Sequence, residues 1–220
     1  MIDVLYEDNH IIAVNKKSGD IVQGDKTGDT PLSEHIKQYL KKKYNKPGKV
    51  FLGTIHRLDR PTSGIVLYAR TSKALSRMNK LFREKEVKKT YWAVVEQSPS
   101  NNSGTLEQYL KKNEKQNKSY ISNKNEGKHA VLDYKILKKL ENYYHLEIKP
   151  KTGRHHQIRA QLSSIGCAIK GDLKYGAKRS NKNASIDLLA RNIEFLHPIK
   201  KQKIIITAPV PSNKIWKSCC

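Results

Sequence analysis

The apolar residues of this chain arrive in short, β-rich runs, and that pattern limits the possible folds more than any other feature. Segments 2–6 (IDVLY), 10–15 (HIIAVN), 64–69 (GIVLYA), 90–96 (TYWAVVE), 104–110, 130–137, 143–148, 188–196 and 204–207 each read as a strand bounded by turn-forming residues. The first two flank Glu7-Asp8-Asn9 and predict a hairpin. Helical spacing is rarer. Thr30 as N-cap and Pro31 at the first helical position introduce Leu32, Ile36, Tyr39 and Leu40, with an end expected near Tyr44. Ser72 is expected to cap a second helix that shows Leu75, Met78, Leu81 and Phe82 on one face. Ile158, Leu162 and Ile165 predict a short third helix ended by Gly166, and a fourth is expected after Ser212. The polar, lysine-dense segment 111–128 reads as an exposed loop or a ragged hairpin. Many strands with few helices between them predict an α+β fold, built on a mixed, mostly antiparallel sheet flanked by helices and loops. A single domain over residues 1–220 is expected, and at that length folding buries about 70% of the unfolded chain's surface.

Charge narrows the choice of partner. Lys and Arg number 43 against 20 Asp and Glu, a net charge of +23. Such an excess points to a polyanion, nucleic acid above all, without separating RNA from DNA. No apolar run approaches the roughly 20 residues that span a bilayer, and the first residues carry no signal-peptide pattern, so no membrane partner is expected. The three cysteines, Cys167, Cys219 and Cys220, form neither a zinc-site spacing nor a disulfide framework, which fits a reducing cytoplasm. A monomer is expected. Thirty-four of the cations are Lys and nine are Arg, so lysine reads as filler and arginine marks positions that need a planar, multi-donor fork.

Two arginine-bearing segments follow from that. His56-Arg57-Leu58-Asp59-Arg60-Pro61-Thr62-Ser63-Gly64 places one carboxylate between two guanidinium groups, with Pro61 and Gly64 able to shape a turn. Such a carboxylate can act as a nucleophile or merely anchor the arginines. The segment lacks the downstream residues of a kinase catalytic loop, segment 24–30 is no P-loop, and no GxGxxG occurs, so no cofactor is expected. The second segment runs from Thr152 through Gly153, Arg154, His155, His156, Gln157 and Arg159 to Leu162. A helix starting after Gly153 would turn its backbone N–H groups, Arg154 and a histidine toward a phosphate. Adjacent histidines fall on different helix faces and no third ligand is suitably spaced, so no metal is expected.

With these residues in view, the chain resembles the RluA-type pseudouridine synthases. The matching segments are VLYEDNHIIAVNKKSG at 4–19, HRLDRPTSG at 56–64, KKTYWAVV at 88–95, TGRHHQIRAQL at 152–162 and GDLKYG at 171–176, in family order. The resemblance implies isomerisation of uridine within structured RNA, ribosomal RNA ahead of tRNA, with no cofactor or metal. The base leaves C1′ at N1, turns, and rejoins through C5. By the same resemblance Asp59 is the catalytic aspartate, Tyr91 stacks on the base and is a candidate acceptor of the C5 proton, and Arg159 pairs with Asp59. Arg57 matches the arginine that fills the gap left by the flipped nucleotide, a flip required because a stacked base cannot be reached. Arg60, Arg154, His156 and Gln157 complete the expected RNA-binding set.

Two positions depart from the family. Lys17 stands where a proline usually follows Asn-Lys, and Leu189 replaces a histidine. An S4-type RNA-binding domain is not expected, since the catalytic pattern begins at once. Two other classes compete with the enzyme. One is an RNA chaperone or ribosome-assembly factor with an unused pocket, whose effects would all trace to its cations. The other is cofactor-dependent methyl transfer, disfavoured by the missing glycine-rich loop.

Overall fold

A computed structural model describes residues 2–24 and 28–220, so Met1 and part of segment 24–30 lie outside the described residues. In chain order the elements are β1 (Val4–Glu7), β2 (Ile11–Lys16), α1 (Leu32–Lys43), β3 (Gly53–Thr54), β4 (Ser63–Ala69), α2 (Ser72–Arg83), β5 (Lys88–Val95), β6 (Ser103–Asn113), β7 (Lys118–Ser122), β8 (Lys128–Lys139), β9 (Tyr144–Pro150), α3 (Gln157–Ser164), β10 (Leu188–Leu196), β11 (Lys203–Thr207) and α4 (Lys214–Lys217). A 3-10 turn at Leu173–Tyr175 precedes β10. This is an α+β chain with mostly antiparallel pairing. It divides into two compact units, Met1–Lys88 with Ala190–Pro209 and Lys89–Leu189 with Val210–Cys220.

In the first unit β2 lies between β1 and β4, both antiparallel to it, with Ile11 opposite Ala69 and Lys16 opposite Gly64. β3 also pairs with β4, and β11 with β10. The run Ile11, Ile12, Ala13, Val14 is wholly buried, because an unbroken apolar strand requires cover on both faces. α1 covers one of them: Leu32, Ile36 and Leu40, one turn apart, pack on Ile12, Val14, Val66 and Tyr68. The helix begins one residue later than its signals suggest. Pro31 itself holds the N-cap position, extended at φ −75° and ψ 155°, and Thr30 lies outside. α2 is capped by Thr71 rather than by Ser72, its hydroxyl accepting from the Ala74 amide at 3.1 Å. Either hydroxyl suits the role, and backbone geometry decides between neighbours.

The second unit is a meander in which β5, β9, β8, β6 and β7 lie side by side, every pairing antiparallel. Its strands alternate. Ala93, Val95, Leu132, Tyr134, Leu146 and Ile148 join Ile158 and Leu162 of α3 in one core. Polar residues occupy the other face, where Thr105 donates to Asp133 at 2.7 Å and Lys151 pairs with the same carboxylate. Segment 111–128 is a hairpin, with Lys111 opposite Tyr120 and Asn113 opposite Lys118. α3 starts at Gln157, not just after Gly153. His156 is left-handed at φ 52°, which breaks the helical path ahead of it.

Candidate active site

The first unit supplies the segment around Asp59, and local geometry explains its shape. The Thr62 amide donates to the Asp59 carbonyl at 3.0 Å and closes a turn through Arg60 and Pro61. Gly64 follows at φ +111°, where a Cβ would stand 2.4 Å from the Ala190 carbonyl oxygen. Only glycine allows β4 to begin that close to β10. On the upstream side the His56 ring stacks on Phe82 and accepts from the Leu67 amide at 3.1 Å, which ties the segment to α2 and β4. Asp59 is half-buried, while Arg57 and Arg60 are exposed. Arg60 reaches Asp29 at 2.7 Å, a solvent-exposed pair of little energetic weight.

The strongest restraint on this turn is Lys16. The side chain is fully buried, and its ammonium donates to the carbonyls of Lys17 at 3.0 Å, Arg60 at 3.0 Å and Thr62 at 2.7 Å. Two of these acceptors bracket the closing turn, and the Gly19 amide adds a bond to Arg60 at 2.9 Å. Burial pushes the Lys16 ammonium down to about 8, while the carboxylates of Asp20 and Asp59 pull it back up. Reading lysine as filler missed this residue. Its signal is position: Lys16 closes a strand whose other residues are almost all apolar, where a long cation has no reason to sit unless it is used.

The second unit supplies the other candidates. Tyr91 lies on β5 opposite Ile148, half-buried and packed against the core. Lys89, two residues earlier, is held below its ordinary value by burial. On α3, Arg159 is bound in bidentate fashion by Asp172, with Nε 2.7 Å from Oδ2 and Nη2 2.8 Å from Oδ1, and both side chains are buried. Its guanidinium also lies over the Tyr175 ring, 4.9 Å from the centroid. This clamp fixes the plane of the fork, which a lysine could not reproduce. Asp172 and Tyr175 are part of the site that residue-by-residue reading overlooked, although both lie in the GDLKYG segment.

His156 and Gln157 are interior. Tyr175 Oη sits 3.0 Å from His156 Nδ1, and burial, followed by the positive charge of Arg159, pushes the imidazole down to about 2. Gln157 Oε1 accepts from the Thr152 hydroxyl at 2.7 Å and the Arg154 amide at 3.0 Å, and its Nε2 donates to Val131 O at 3.0 Å. The polar atoms of both residues brace the approach to α3. Arg154 is exposed, and its Nε donates to the His129 carbonyl at 2.8 Å. Within the units, then, Asp59 and Arg60 share one turn with Arg57 just ahead of it, while Arg154, His156, Gln157 and Arg159 share the start of α3.

Chemically, the first unit presents a carboxylate on a turn fixed by a buried cation. The second presents an aromatic ring on a strand and a guanidinium held rigid by a buried carboxylate. No group of three or more His, Cys, Asp or Glu able to hold a metal occurs among the described residues. No helix among them is long and apolar enough to cross a membrane.

The profile of a family described as RNA pseudouridylate synthase matches residues 10–164. Ribosomal large subunit pseudouridine synthase C of Buchnera aphidicola is 34% identical over 215 residues, covering 94% of this chain and 66% of the relative. The chain thus spans about two thirds of that relative's length. tRNA pseudouridine synthase C of Vibrio vulnificus is 31% identical over 236 residues, covering 99% of this chain and 93% of the relative. Among solved structures, human RNA pseudouridylate synthase domain containing 4 superposes with a TM-score of 0.83 at 21% identity, over 99% of this chain and 91% of that one. That last likeness is one of fold.

Proposed function

The chain belongs to the RNA pseudouridylate synthase family, an RNA-modifying isomerase, and we propose that residues 1–220 act as one catalytic domain that isomerises one or a few uridines of structured RNA through Asp59. The reaction balances without a co-reactant. The C1′–N1 bond breaks, a C1′–C5 bond forms, C5 loses a proton and N1 gains one, so neither a redox partner nor a group donor is required. What the protein must supply is a flipped base, a placed carboxylate and a proton path.

One observation carries the assignment of Asp59. A fully buried Lys16 ammonium donates all three of its N–H groups to backbone carbonyls, two of them in the turn that bears Asp59. Desolvating a cation is costly, and a surface salt bridge would not require it. A carboxylate that must reach one reacting atom does, because a misplacement of about 1 Å can cost a hundredfold in rate. In this reading Tyr91 stacks on the uracil and takes the C5 proton, Arg159, clamped by Asp172, supplies a rigid positive charge, and Arg57 fills the space of the flipped nucleotide. Arg60 and Arg154 contact phosphates, while His156 and Gln157 keep Arg154 and Arg159 in register. Relatives named ribosomal large subunit pseudouridine synthase C, at 34% and 35% identity, support ribosomal RNA as the first candidate, and one named tRNA pseudouridine synthase C, at 31%, supports tRNA as the second.

Tritium release from RNA labelled at uridine C5 tests the reading, using ribosomal RNA and tRNA from cells that lack this gene. Wild-type protein is expected to release label, and Asp59→Ala none, while Asp59→Asn is expected to keep full RNA affinity. Release by Asp59→Ala would remove Asp59 from the chemistry. Tight binding with no release from either RNA would favour a binding protein.

A further inference from the structure

The outward face of α2 has no part in the site above, yet it is built unlike a solvated surface. The helix buries Ala74 and Met78, and seven of its other positions, the apolar Leu75 among them, line a shallow groove of about 480 Å³. Ser72, Ser76, Arg77, Asn79, Lys80 and Arg83 contribute to it, and no carboxylate lines it. Exposed helix faces normally mix both signs at i and i+4. Here Lys80 and Glu84 form one such i,i+4 pair, exposed and as long as 3.9 Å, while Arg77 turns to a backbone carbonyl instead. Two of the nine arginines of a lysine-rich chain stand in this one groove. Arg77 is held in place by donating to the Pro198 carbonyl at 3.2 Å, so its orientation is set before any ligand arrives.

We infer that this groove is a phosphate-backbone site for RNA, engaging the strand away from the reacting uridine. Arg77, Lys80 and Arg83 succeed one another every three residues, a rise of roughly 4.5 Å per step along the helix. The Asn79 amide stands between the first two, and the hydroxyls of Ser72 and Ser76 precede them on the same groove. Guanidinium, ammonium, hydroxyl and carboxamide donors are the set that protein–nucleic acid interfaces direct at phosphate oxygens. The lining carries no aromatic ring to stack on bases, so the groove reads backbone and not sequence. It would orient the substrate and supply affinity, leaving selection of the uridine to the catalytic residues.

The inference rests on RNA being the substrate, and the test separates the two. Binding of the full chain to fluorescent ribosomal RNA fragments and to tRNA is measured by anisotropy across a salt series, with no turnover required. The triple variant Arg77→Ala/Lys80→Ala/Arg83→Ala is expected to lower the slope of log affinity against log salt by about two to three, one counterion-release increment per lost phosphate contact. A control that removes the same charge from exposed positions of another segment, Lys41→Ala/Lys46→Ala/Lys49→Ala, is expected to change it by less than one. Arg77→Lys/Arg83→Lys, which keeps the charge, is expected to restore most of the slope and shows that the fold survives. Equal slope changes in the alanine triple and its control would overturn the groove as a site. So would an unchanged slope in the alanine triple. Wild-type protein that failed to bind either RNA would overturn the RNA reading itself.

Discussion

At the scale of single residues, the site depends on buried charges that serve other groups. Lys16 donates to carbonyls and Asp172 grips Arg159, so each acts by positioning. Lys16→Met removes a charged donor from three carbonyls, of which Arg60 keeps the Gly19 amide and Lys17 the Asp20 amide, and is expected to destabilise the chain by about 2 to 4 kcal/mol. The surviving folded protein is expected to lose about a hundredfold in kcat with RNA affinity unchanged, because the Asp59 turn loses its anchor. Urea titration and single-turnover tritium release measure the two effects. A variant with normal kcat would show that the turn holds its shape unaided. The neighbours of Asp59 left nucleophile and anchor open and the expected catalytic role came from resemblance, while nothing pointed to Lys16. Among 34 lysines nothing in composition marks Lys16 as buried, and only the packed strands around it do.

At the scale of elements, the strand and helix inventory follows local pattern closely. α1, α2, β4 and β5 fall within a few residues of where apolar spacing places them. The misplacements cluster at helix starts. Thr71 caps α2 in place of Ser72, Pro31 caps α1, and α3 waits until Gln157. Each depends on backbone angles set by contacts beyond the helix, which propensity does not encode. Gly64 shows the same dependence at a strand start. Its positive φ and the 2.4 Å approach to Ala190 leave no room for a methyl group. Gly64→Ala is expected to cost about 3 kcal/mol or more and to displace the Asp59 turn, read as a lowered urea midpoint with loss of tritium release. Wild-type stability in this variant would mean that β10 can retreat.

At the scale of the whole molecule, titration of buried imidazoles shapes stability. Burial pushes His145 down to about 4 and His156 down to about 2, and lowers His197. Each binds its proton in the unfolded chain near 6.5 but not in the folded one. The unfolded state therefore holds more protons below that value, and stability falls as pH drops through it. For His156 the window runs from about 6.5 to about 2, and for His145 from about 6.5 to about 4. Each histidine adds a slope of up to about 1.4 kcal/mol per pH unit inside its window. The urea midpoint is expected to fall between pH 7 and pH 5, and His156→Gln is expected to flatten that fall. A midpoint constant over this range would show that these imidazoles take up protons without unfolding.

Local order carried the α+β class, the positions of the strands and the two arginine-bearing segments, because apolar period, turn residues and charge are properties of neighbouring positions. Tertiary structure alone decided which lysine is buried and what holds Arg159. The carbonyls that Lys16 meets belong to Arg60 and Thr62, 44 and 46 residues further along the chain. The carboxylate that clamps Arg159 lies 13 residues past it, at the N-cap of the 3-10 turn. Desolvation and bidentate geometry arise only when distant segments close around a group, and no periodicity in the sequence measures that closure.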